Sequence, residues 1–298
     1  MDTRFLKTFL VVAKRGSLAA AAQELNLTAT AVAQRLAALE AEFGTALVSR
    51  SGRTVRPTEA GFAILDKSEA FLRSLRSLKA ASRGDAIRGE LRAGAISTAQ
   101  TGLLPDVLQV LATRHPNLAI SLEPGTSGEL YAQILSGQLD LAVIVRPGFD
   151  LPKSLVFDAW RTEPLILLVP AAETSDDFRE ILGRLPLIRY DRMQWGGNLA
   201  TQFLDDAGIQ PQDRFELDAL DAIAIMVDRK LGAAIIPDWS GPWPQGLNVR
   251  KISLPDRELS RQIGFLYPKN TPQYHPIQAV IGLARELDQR AKGLPNAD

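Results

Sequence analysis

Apolar residues recur at helical spacing along the first part of the chain. Residues 3–14 predict an amphipathic helix that ends at Gly16. The segment 17–43 then predicts two short helices joined by a turn at Asn26, the first of them packed through its alanines. We expect the second helix to turn its apolar stripe inward, and that stripe consists of Ala31, Val32, Leu36, Leu39 and Phe43.

Two hydroxyl residues stand where these helices begin. Ser17 and Thr28 are suited to accept a hydrogen bond from a free amide of the first helical turn, so both are predicted N-caps. Two short helices with such a turn favour a helix-turn-helix. The alternative is an ordinary alanine-rich hairpin with a solvated polar face. In the first interpretation the second helix presents to DNA a face made of Ala29, Thr30, Ala33, Gln34 and Arg35.

A short arginine-rich stretch follows at 49–56. Its Ser-Gly pair lies between two extended arms, which predicts a hairpin. Arg50, Arg53 and Arg56 on such a hairpin would form a wing that contacts phosphates or the minor groove. A solvated surface turn is the alternative.

Pro57, Thr58 and Glu59 predict the start of a long helix that runs to about Ser82. Its apolar stripe is too sparse for a domain core and too apolar for an isolated rod, so we expect a second copy of the chain to cover it. A hinge is expected at 82–85. The stripe consists of Ile64, Leu65, Phe71, Leu72, Leu75 and Leu78.

From Gly89 onward, predicted strands alternate with predicted helices. This order indicates parallel sheets covered by helices, and more than 200 residues favour two α/β lobes. We expect the chain to cross between lobes near 160–164 and to return near 262–268. Strands are predicted at 90–96, 118–123, 139–145, 165–169, 187–190, 233–236 and 263–267, and helices near 102–114, 127–137, 177–183, 198–207, 219–230 and 274–291.

The distribution of charged residues along the chain is informative, whereas the net charge of the whole chain is not. The whole chain has a net charge of zero, but residues 1–60 carry eight basic and five acidic side chains, which leaves the remainder at −3. A mildly basic N-terminal part is compatible with phosphate binding. The chain has no cysteine, which excludes disulfides and thiol chemistry. No signal-peptide pattern or membrane-length apolar run is present, so we expect a cytoplasmic protein.

No motif indicates an enzyme. The two histidines, His115 and His275, each precede a proline and are expected in surface loops. No phosphate-binding glycine loop, nucleophile elbow or metal-spaced cluster is present in the sequence. We therefore expect no catalytic residues, no metal site and no cofactor.

Residues 4–61 resemble the DNA-binding region of LysR-type transcriptional regulators. The likeness rests on the order of alanine-rich helix, recognition helix, the wing motif LVSR and the sequence RPTEAG that opens the long helix. Further along, HPNLAISLEPGTSGEL, SGQLDLAVI and MVDRKLGAAIIP look like the effector-binding domain of the same family.

This resemblance implies a fold of class α + α/β. The expected parts are a winged helix-turn-helix DNA-binding domain at 1–58, a dimerising linker helix and hinge at 59–87, and a periplasmic-binding-protein-like effector-binding domain at 88–298. In that domain, lobe I comprises 88–162 and 267–298, and lobe II comprises 163–266. The implied partners are double-stranded promoter or operator DNA, a small-molecule effector in the cleft, a second subunit bound through the linker helix, a homotetramer and RNA polymerase.

The recognition helix departs from the family pattern. Where the family often reads S-Q-S-A-V-S, this chain reads T-A-T-A-V-A at 28–33, and Val48 stands where an aromatic residue usually precedes the wing. Alanines therefore replace two common polar contacts, which moves DNA binding onto the remaining polar side chains. The expected DNA-binding residues are Ser17, Thr28, Thr30, Gln34, Arg35, Arg50, Arg53 and Arg56.

For the effector, the resemblance points to the loops after the first and second strands of the body. Hydroxyls and free amides at helix N-termini favour an organic acid or another anion. Asp218 and Asp221 favour a cation or amine instead, so the charge of the effector stays open. Each hydroxyl has an alternative role as a helix cap, Arg146 as a surface ion pair and Trp195 as a core residue. The expected effector-binding residues are Ser97, Thr98, Gln100, Thr126, Ser127, Arg146 and Trp195.

Two other functions stay open from the sequence. One is a DNA-binding regulator whose cleft binds no effector. The other is a solute-binding receptor that works without DNA, against which residues 1–83 and the missing export signal argue. The sequence identifies neither operator nor effector, nor whether transcription rises or falls.

Overall fold

The computed structural model describes residues 2–52, 54–81, 87–255 and 259–291. These divide into two compact units, 1–85 and 86–298. Arg53 and the expected hinge at 82–85 lie outside the described residues.

The N-terminal unit is a three-helix core with a hairpin and a long helix. Gly16, Asn26 and Gly44 close the three core helices in the left-handed conformation, with φ of +64°, +52° and +67°. This agrees with the predicted ends at Gly16 and Asn26, because glycine and asparagine adopt such angles at low cost. The elements are α1 (Thr3–Arg15), α2 (Leu18–Leu25), α3 (Ala29–Phe43), β1 (Val48–Ser51), β2 (Thr54–Pro57) and α4 (Glu59–Ala81).

Side chains from all three short helices and the hairpin form the core of this unit. Phe9, Val12, Val32, Leu36 and Leu39 are fully buried in it. Two expectations for α3 need correction: Phe43 is 42% exposed and Ala31 is half-buried. Phe43 is the last helical residue before Gly44, so its side chain lies beyond the end of the packed surface.

Helix α4 carries apolar side chains on more than one side. Ile64 and Leu72 pack against the core, whereas Phe62 is 65% exposed and Phe71 is 46% exposed. The side chain of Leu78, part of the predicted stripe, lies outside the described set.

Lobe I of the second unit is a five-stranded layer flanked by helices. Its strand order is β6-β11-β5-β3-β4, in which β3 runs parallel to both β4 and β5. The elements are β3 (Gly89–Ala95), α5 (Ser97–Gly102), α6 (Leu104–Arg114), β4 (Leu118–Pro124), α7 (Ser127–Leu135), β5 (Leu141–Val145), the first part of β6 (Leu155–Pro170), β11 (Ser260–Pro268) and α11 (Tyr274–Ala291).

Lobe II continues from the second part of β6. There β6 pairs with β10 and β9, while β7 pairs in parallel with β8 and contacts the start of β9 through a bridge between Leu187 and Ala233. The elements are α8 (Phe178–Arg184), β7 (Leu187–Tyr190), α9 (Trp195–Asp206), β8 (Asp213–Leu217), α10 (Leu220–Asp228), β9 (Ala234–Pro237) and β10 (Val249–Ser253).

Two antiparallel strands, β6 and β11, join the lobes. Strand β6 pairs with β11 up to Pro164 and with β9 and β10 from Leu165 onward. The expectation of parallel sheets is therefore correct for the pairs of β3 with β4 and β5 and of β7 with β8, and wrong for the pairs that involve β6 and β11. A chain that leaves a lobe and later returns to it runs in opposite directions on its two passages, which accounts for the antiparallel pairing of β6 with β11, and β11 is also antiparallel to β5.

Two negative findings concern only the parts of the chain that the structure describes. No helix there is both long and apolar enough to cross a membrane. No group of three or more potential metal ligands occurs there.

Candidate functional sites

The N-terminus of α3 presents short polar side chains to solvent. Thr28 caps the helix, because its hydroxyl accepts a hydrogen bond from Ala31 N at 3.1 Å. Thr28, Thr30 and Gln34 are exposed, and Arg35 is half-buried. Ser17 caps α2 in the same way, with a longer contact of 3.5 Å to Ala20 N. The face of α3 opposite the core therefore carries the side chains that the sequence indicated for base reading.

The hairpin holds its described arginines on opposite faces. Arg50 pairs across the ladder with Val55, whereas Arg56 pairs with Ser49. Cross-strand partners share a face and neighbouring positions alternate, so Arg50 and Arg56 project to opposite sides of the ribbon. Both are exposed, and neither has a recorded carboxylate partner among the described residues.

Hydrogen bonds from backbone amides attach the hairpin and the residue before it to the helices. Glu40 on α3 accepts from Leu47 N at 2.8 Å and from Val48 N at 3.1 Å. On the other strand, Val55 N donates to Gly16 O at 2.8 Å. Val48, in the place of the usual aromatic residue, is 8% exposed and packs in the core. The hairpin is thus fixed relative to α3.

Between the lobes lies a cavity of about 720 Å³. Strand ends and helix N-termini from lobe I form one wall, and segments of lobe II form the other. Its volume falls within the range of pockets that hold small organic ligands, roughly 300–1,000 Å³. Among the residues that the structure describes, those lining it include Ile96, Gly125, Glu129, Val145, Tyr190, Gln194, Asp218, Leu220, Asp221, Ile225, Trp239, Trp243 and Arg261.

Five of the seven expected effector residues line this cavity: Ser97, Thr98, Thr126, Ser127 and Trp195. Three of the four hydroxyl groups in this set form hydrogen bonds within the protein. Ser127 Oγ accepts from Val145 N at 3.1 Å, and Thr126 forms a reciprocal capping box with Glu129. Of the four hydroxyl residues, Ser97 is the one whose hydroxyl has no recorded protein partner among the described residues.

Gln100 and Arg146 do not line the cavity, which corrects their predicted placement. Gln100 Nε2 donates to Ala95 O at 2.7 Å, because α5 begins at Ser97 and turns this side chain back toward β3. Arg146 donates to Gln262 Oε1 at 2.9 Å and lies over the Phe157 ring. The sequence position just past β5 predicted proximity to the cavity but not the direction of the side chain.

A buried ion pair lies where the two crossing strands meet. Arg261 on β11 donates through Nε to Glu163 Oε2 at 2.9 Å, and the two residues are each 1% exposed. Arg261 also donates to Thr98 Oγ1 at 3.1 Å, while Glu163 Oε1 accepts from Ser240 N at 2.9 Å. One ion pair thereby connects a helix of lobe I to a loop of lobe II.

Trp195 links the two lobes through aromatic contacts. Its ring lies 5.9 Å from that of Tyr131 and 5.6 Å from that of Phe149, both with edge-on geometry, and it packs against the core of lobe I. Helix α9 begins at Trp195, three residues earlier than predicted. This side chain lines the cavity and also packs as an inter-lobe contact, which agrees with the core alternative, and its contact with a ligand stays a prediction.

Acidic side chains dominate the charge of the cavity wall. Burial, followed by the charge of Asp191, raises the pKa of Asp218. Hydrogen bonds from Thr126 lower the pKa of Glu129, which keeps that carboxylate ionised. Burial raises the pKa of the Tyr190 hydroxyl, and the nearby Arg261 opposes this rise.

Several wall residues had no local signal in the sequence. Tyr190 is the last residue of a predicted strand, whereas Trp239, Trp243 and Arg261 lie outside the predicted strands and helices. Glu163 lies in the segment where the chain was expected to cross between the lobes, and Arg261 lies just before the expected return, but nothing in the sequence indicated that the two are paired. His275 also differs from expectation, since it lies in the first turn of α11 and not in a loop.

Comparison with protein families gave two matches that together cover most of the chain. Residues 3–62 match the bacterial regulatory helix-turn-helix protein, lysR family, and residues 84–289 match the LysR substrate binding domain.

Individual relatives and solved structures agree with these matches. The chain is 29% identical over 248 residues to the HTH-type transcriptional regulator TtuA of Agrobacterium vitis, covering 80% of this chain and 81% of that one. It is 26% identical to the DNA-binding transcriptional dual regulator OxyR of Escherichia coli, covering 91% of each. A structure of full-length CbnR complexed with its target DNA matches with a TM-score of 0.62 at 22% identity, covering 96% of this chain and 99% of that one.

Proposed function

The chain belongs to the LysR family of DNA-binding transcriptional regulators with an effector-binding domain, and on that premise we propose how its residues divide the work. In this proposal α3 reads an operator sequence, the hairpin contacts phosphates, and a small molecule in the inter-lobe cavity sets the transcriptional output. The observation that carries the DNA part is the exposed polar face of α3, centred on Thr30 and Gln34.

Base reading falls to Gln34 and Arg35, with Thr28 and Thr30 beside them. A glutamine can form paired hydrogen bonds with adenine, and an arginine with guanine. Ser17 and Thr28 also cap helices, because their hydroxyl oxygens accept from backbone amides. In the proposal the hydrogen of each hydroxyl remains free to donate to a DNA phosphate. The contact of Gln34 with its cognate base should favour that base over a wrong one by about 1–3 kcal/mol of binding free energy.

The test is operator affinity against random-DNA affinity at one fixed salt concentration. Gln34→Ala should lower the operator affinity and leave the random-DNA affinity nearly unchanged. Gln109→Ala, a change of an exposed glutamine in the C-terminal unit, is the matched control. Unchanged discrimination in the Gln34 variant would remove this residue from base reading.

Phosphate binding falls to Arg50 and Arg56, and to Arg53, which lies outside the described residues. Removal of one arginine that neutralises a phosphate should reduce the slope of log affinity against log salt by about 0.9. Arg50→Ala and Arg56→Ala should therefore weaken binding to operator and random DNA alike. Arg229→Ala, an exposed arginine of the C-terminal unit, controls for the loss of charge alone. A slope unchanged in both hairpin variants would contradict the wing assignment.

We further propose that two chains associate through α4 and that dimers pair into a homotetramer. Support for the first step comes from the exposed aromatic rings of Phe62 and Phe71 on α4. The proposed domain bounds are 1–58, 59–87 and 88–298, with lobe II at 163–266. Light scattering tests the dimer by comparing the molar mass of the Phe62→Ser variant with that of the unchanged chain. We expect the variant to have the lower molar mass, and an equal molar mass would argue against association through α4.

The effector acts by its differential affinity for two arrangements of the lobes. Ser97, Thr98, Thr126, Ser127 and Trp195 support a ligand site because they line the cavity. Among the relatives are proteins named hydrogen peroxide-inducible genes activators. This chain has no cysteine, so its signal is not oxidation of a thiol.

Family membership supports the remaining parts of the proposal. The protein works in the cytoplasm, where promoter DNA and RNA polymerase are found, and it is a regulator without enzymatic activity. No catalytic residue, metal or cofactor is assigned.

A further inference from the structure

The acidic wall of the inter-lobe cavity indicates which ligands it accepts. Four charged side chains line the cavity in the described part of the chain, and three of them, Glu129, Asp218 and Asp221, are acidic. The fourth is Arg261, whose charge is already compensated by the buried carboxylate of Glu163. The wall as a whole is therefore negative and lacks an uncompensated cation among these residues.

Two of the three acids also have a structural role at a helix N-terminus. Glu129 completes the capping box of α7, and Asp221 lies in the first turn of α10, where a negative charge interacts favourably with the helix dipole. Even so, Glu129 uses one carboxylate oxygen for both recorded bonds, to Thr126 N and Thr126 Oγ1, and its other oxygen stays open.

Asp218 has no such structural explanation. It precedes Ala219, the N-cap residue of α10, and no hydrogen bond or ion pair is recorded for its carboxylate among the described residues. Desolvation and the nearby charge of Asp191 raise its pKa, and the charge of Arg261 opposes this rise, while the side chain stays exposed at the cavity wall. A carboxylate that lines a cavity without a protein partner among the described residues is available to a ligand cation.

The rest of the wall suits an organic molecule. Ile96, Val145, Leu220 and Ile225 contribute aliphatic surface, and Tyr190 and Trp195 contribute aromatic surface. A hydrated metal ion or a wholly polar polyamine would leave this surface without a partner. A small molecule with an apolar body and a positive end would satisfy both the aliphatic surface and the carboxylates.

We propose that the effector of this protein is a compact organic cation, an amine or guanidinium compound with an apolar body, whose charged end binds Asp218 and Asp221. This inference rests on the proposed function, since it names the ligand class of the same cavity. It replaces the organic acid that the helix N-termini had suggested. The hydroxyl of Thr126 already donates to Glu129, and the three carboxylates of the wall would repel a ligand carboxylate.

The experiment compares three probes of similar size and different charge on the full-length protein at pH 7.5: 2-phenylethylamine, 3-phenylpropan-1-ol and 3-phenylpropionate. Binding is followed by tryptophan fluorescence, because Trp195 lines the cavity, and by the shift of the thermal midpoint. We expect 2-phenylethylamine to bind more tightly than the alcohol and the acid to bind least.

Asp218→Asn should raise the dissociation constant of 2-phenylethylamine about tenfold or more, since a hydrogen bond to a charged group is lost. The same variant should be at least as stable as the unchanged protein without ligand, because the carboxylate that it loses is exposed, makes no hydrogen bond or ion pair among the described residues and is repelled by Asp191. A purely structural aspartate would give the opposite stability change. Asp206→Asn, an exposed acid at the far end of α9, is the matched control and should leave both quantities unchanged.

Preferential binding of 3-phenylpropionate would overturn the proposal, and so would the absence of amine binding at millimolar concentration. Amine binding that Asp218→Asn does not weaken would overturn the assignment of this residue. Operator binding, measured on the same preparations, tests the regulatory function separately. A protein that binds operator but prefers the acid retains the proposed function and loses only the ligand class.

Discussion

A surface ion pair of the N-terminal unit and a buried ion pair of the C-terminal unit show two different uses of charge. In the N-terminal unit the ion pair of Arg15 with Glu24 lies on the surface, and the hairpin arginines Arg50 and Arg56 are exposed without a recorded carboxylate partner in the described set. In the C-terminal unit the pair of Arg261 with Glu163 is almost wholly buried. Exposed cations remain available to a polyanion such as DNA, whereas a buried pair serves the fold and leaves the cavity acids uncompensated.

The largest effect expected from this difference is at the buried pair. Glu163→Gln leaves the Arg261 charge buried without a counter-charge, which should cost about 3–5 kcal/mol of unfolding free energy. All four tryptophans lie between residues 160 and 243, so denaturation followed by fluorescence reports the C-terminal unit alone. The double variant Glu163→Gln with Arg261→Met removes the orphaned charge and should recover a large part of the loss. A single variant as stable as the unchanged chain would show that water enters the cavity and solvates Arg261.

A second effect in the same unit comes from backbone packing. A Cβ atom on Gly197 would lie 2.0 Å from Asp191 O, so Gly197→Ala forces α9 away from the loop before it. We expect a loss of about 1–3 kcal/mol by the same fluorescence measurement. Gly282→Ala in α11 is the control, because nothing lies within 4 Å of its added Cβ, and it should stabilise the chain by about 0.5–1 kcal/mol. Equal effects of the two changes would show that α9 can shift freely.

In the N-terminal unit the expected changes are smaller and local. Thr28→Ala removes the cap of α3 and should cost about 1 kcal/mol of local helix stability. Amide hydrogen exchange in the first turn of α3 measures this loss, since the unit contains no tryptophan. Thr28→Ser keeps the capping hydroxyl and should retain the protection. Equal protection from hydrogen exchange in the unchanged chain, in Thr28→Ala and in Thr28→Ser would mean that the cap contributes nothing to the stability of α3.

The smallest effect is expected at the exposed ion pair. Glu24→Gln should cost no more than about 1 kcal/mol, because solvent and salt screen a pair whose side chains are 52% and 37% exposed. Hydrogen exchange of α2 at low and high salt is the measurement, and the difference should vanish at high salt. A loss as large as that of Glu163→Gln would remove the distinction between the two units.

Local signals made the N-terminal unit predictable. Ser17 and Thr28 as caps, Asn26 and Gly16 as helix ends and the Ser-Gly hairpin turn all act within a few residues of where they stand, and the structure agrees with each. The direction in which the hairpin arginines project was not predicted, because it depends on the register of two strands.

The cavity was only partly predictable because its wall comes from distant segments. Thr98 and Arg261, for example, are 163 positions apart and still form a hydrogen bond. The first part of β6 escaped prediction because it carries polar residues and a proline, and α9 was placed too late because two glycines near its start disfavour a helix. Those glycines are required by the close approach of α9 to the Tyr190–Asp191 segment, which no local rule contains.

The position of β11 has a consequence for the synthesis of the protein. This strand lies between β5 and β6 in the sheet of lobe I, yet it is the last strand to be made. Until Pro268 has left the ribosome, β5 and the first part of β6 each keep an unpaired edge, and such edges invite pairing with other chains. A chain cut short before residue 260 therefore loses an inner strand of its sheet, and we expect it to aggregate instead of surviving as a shorter regulator.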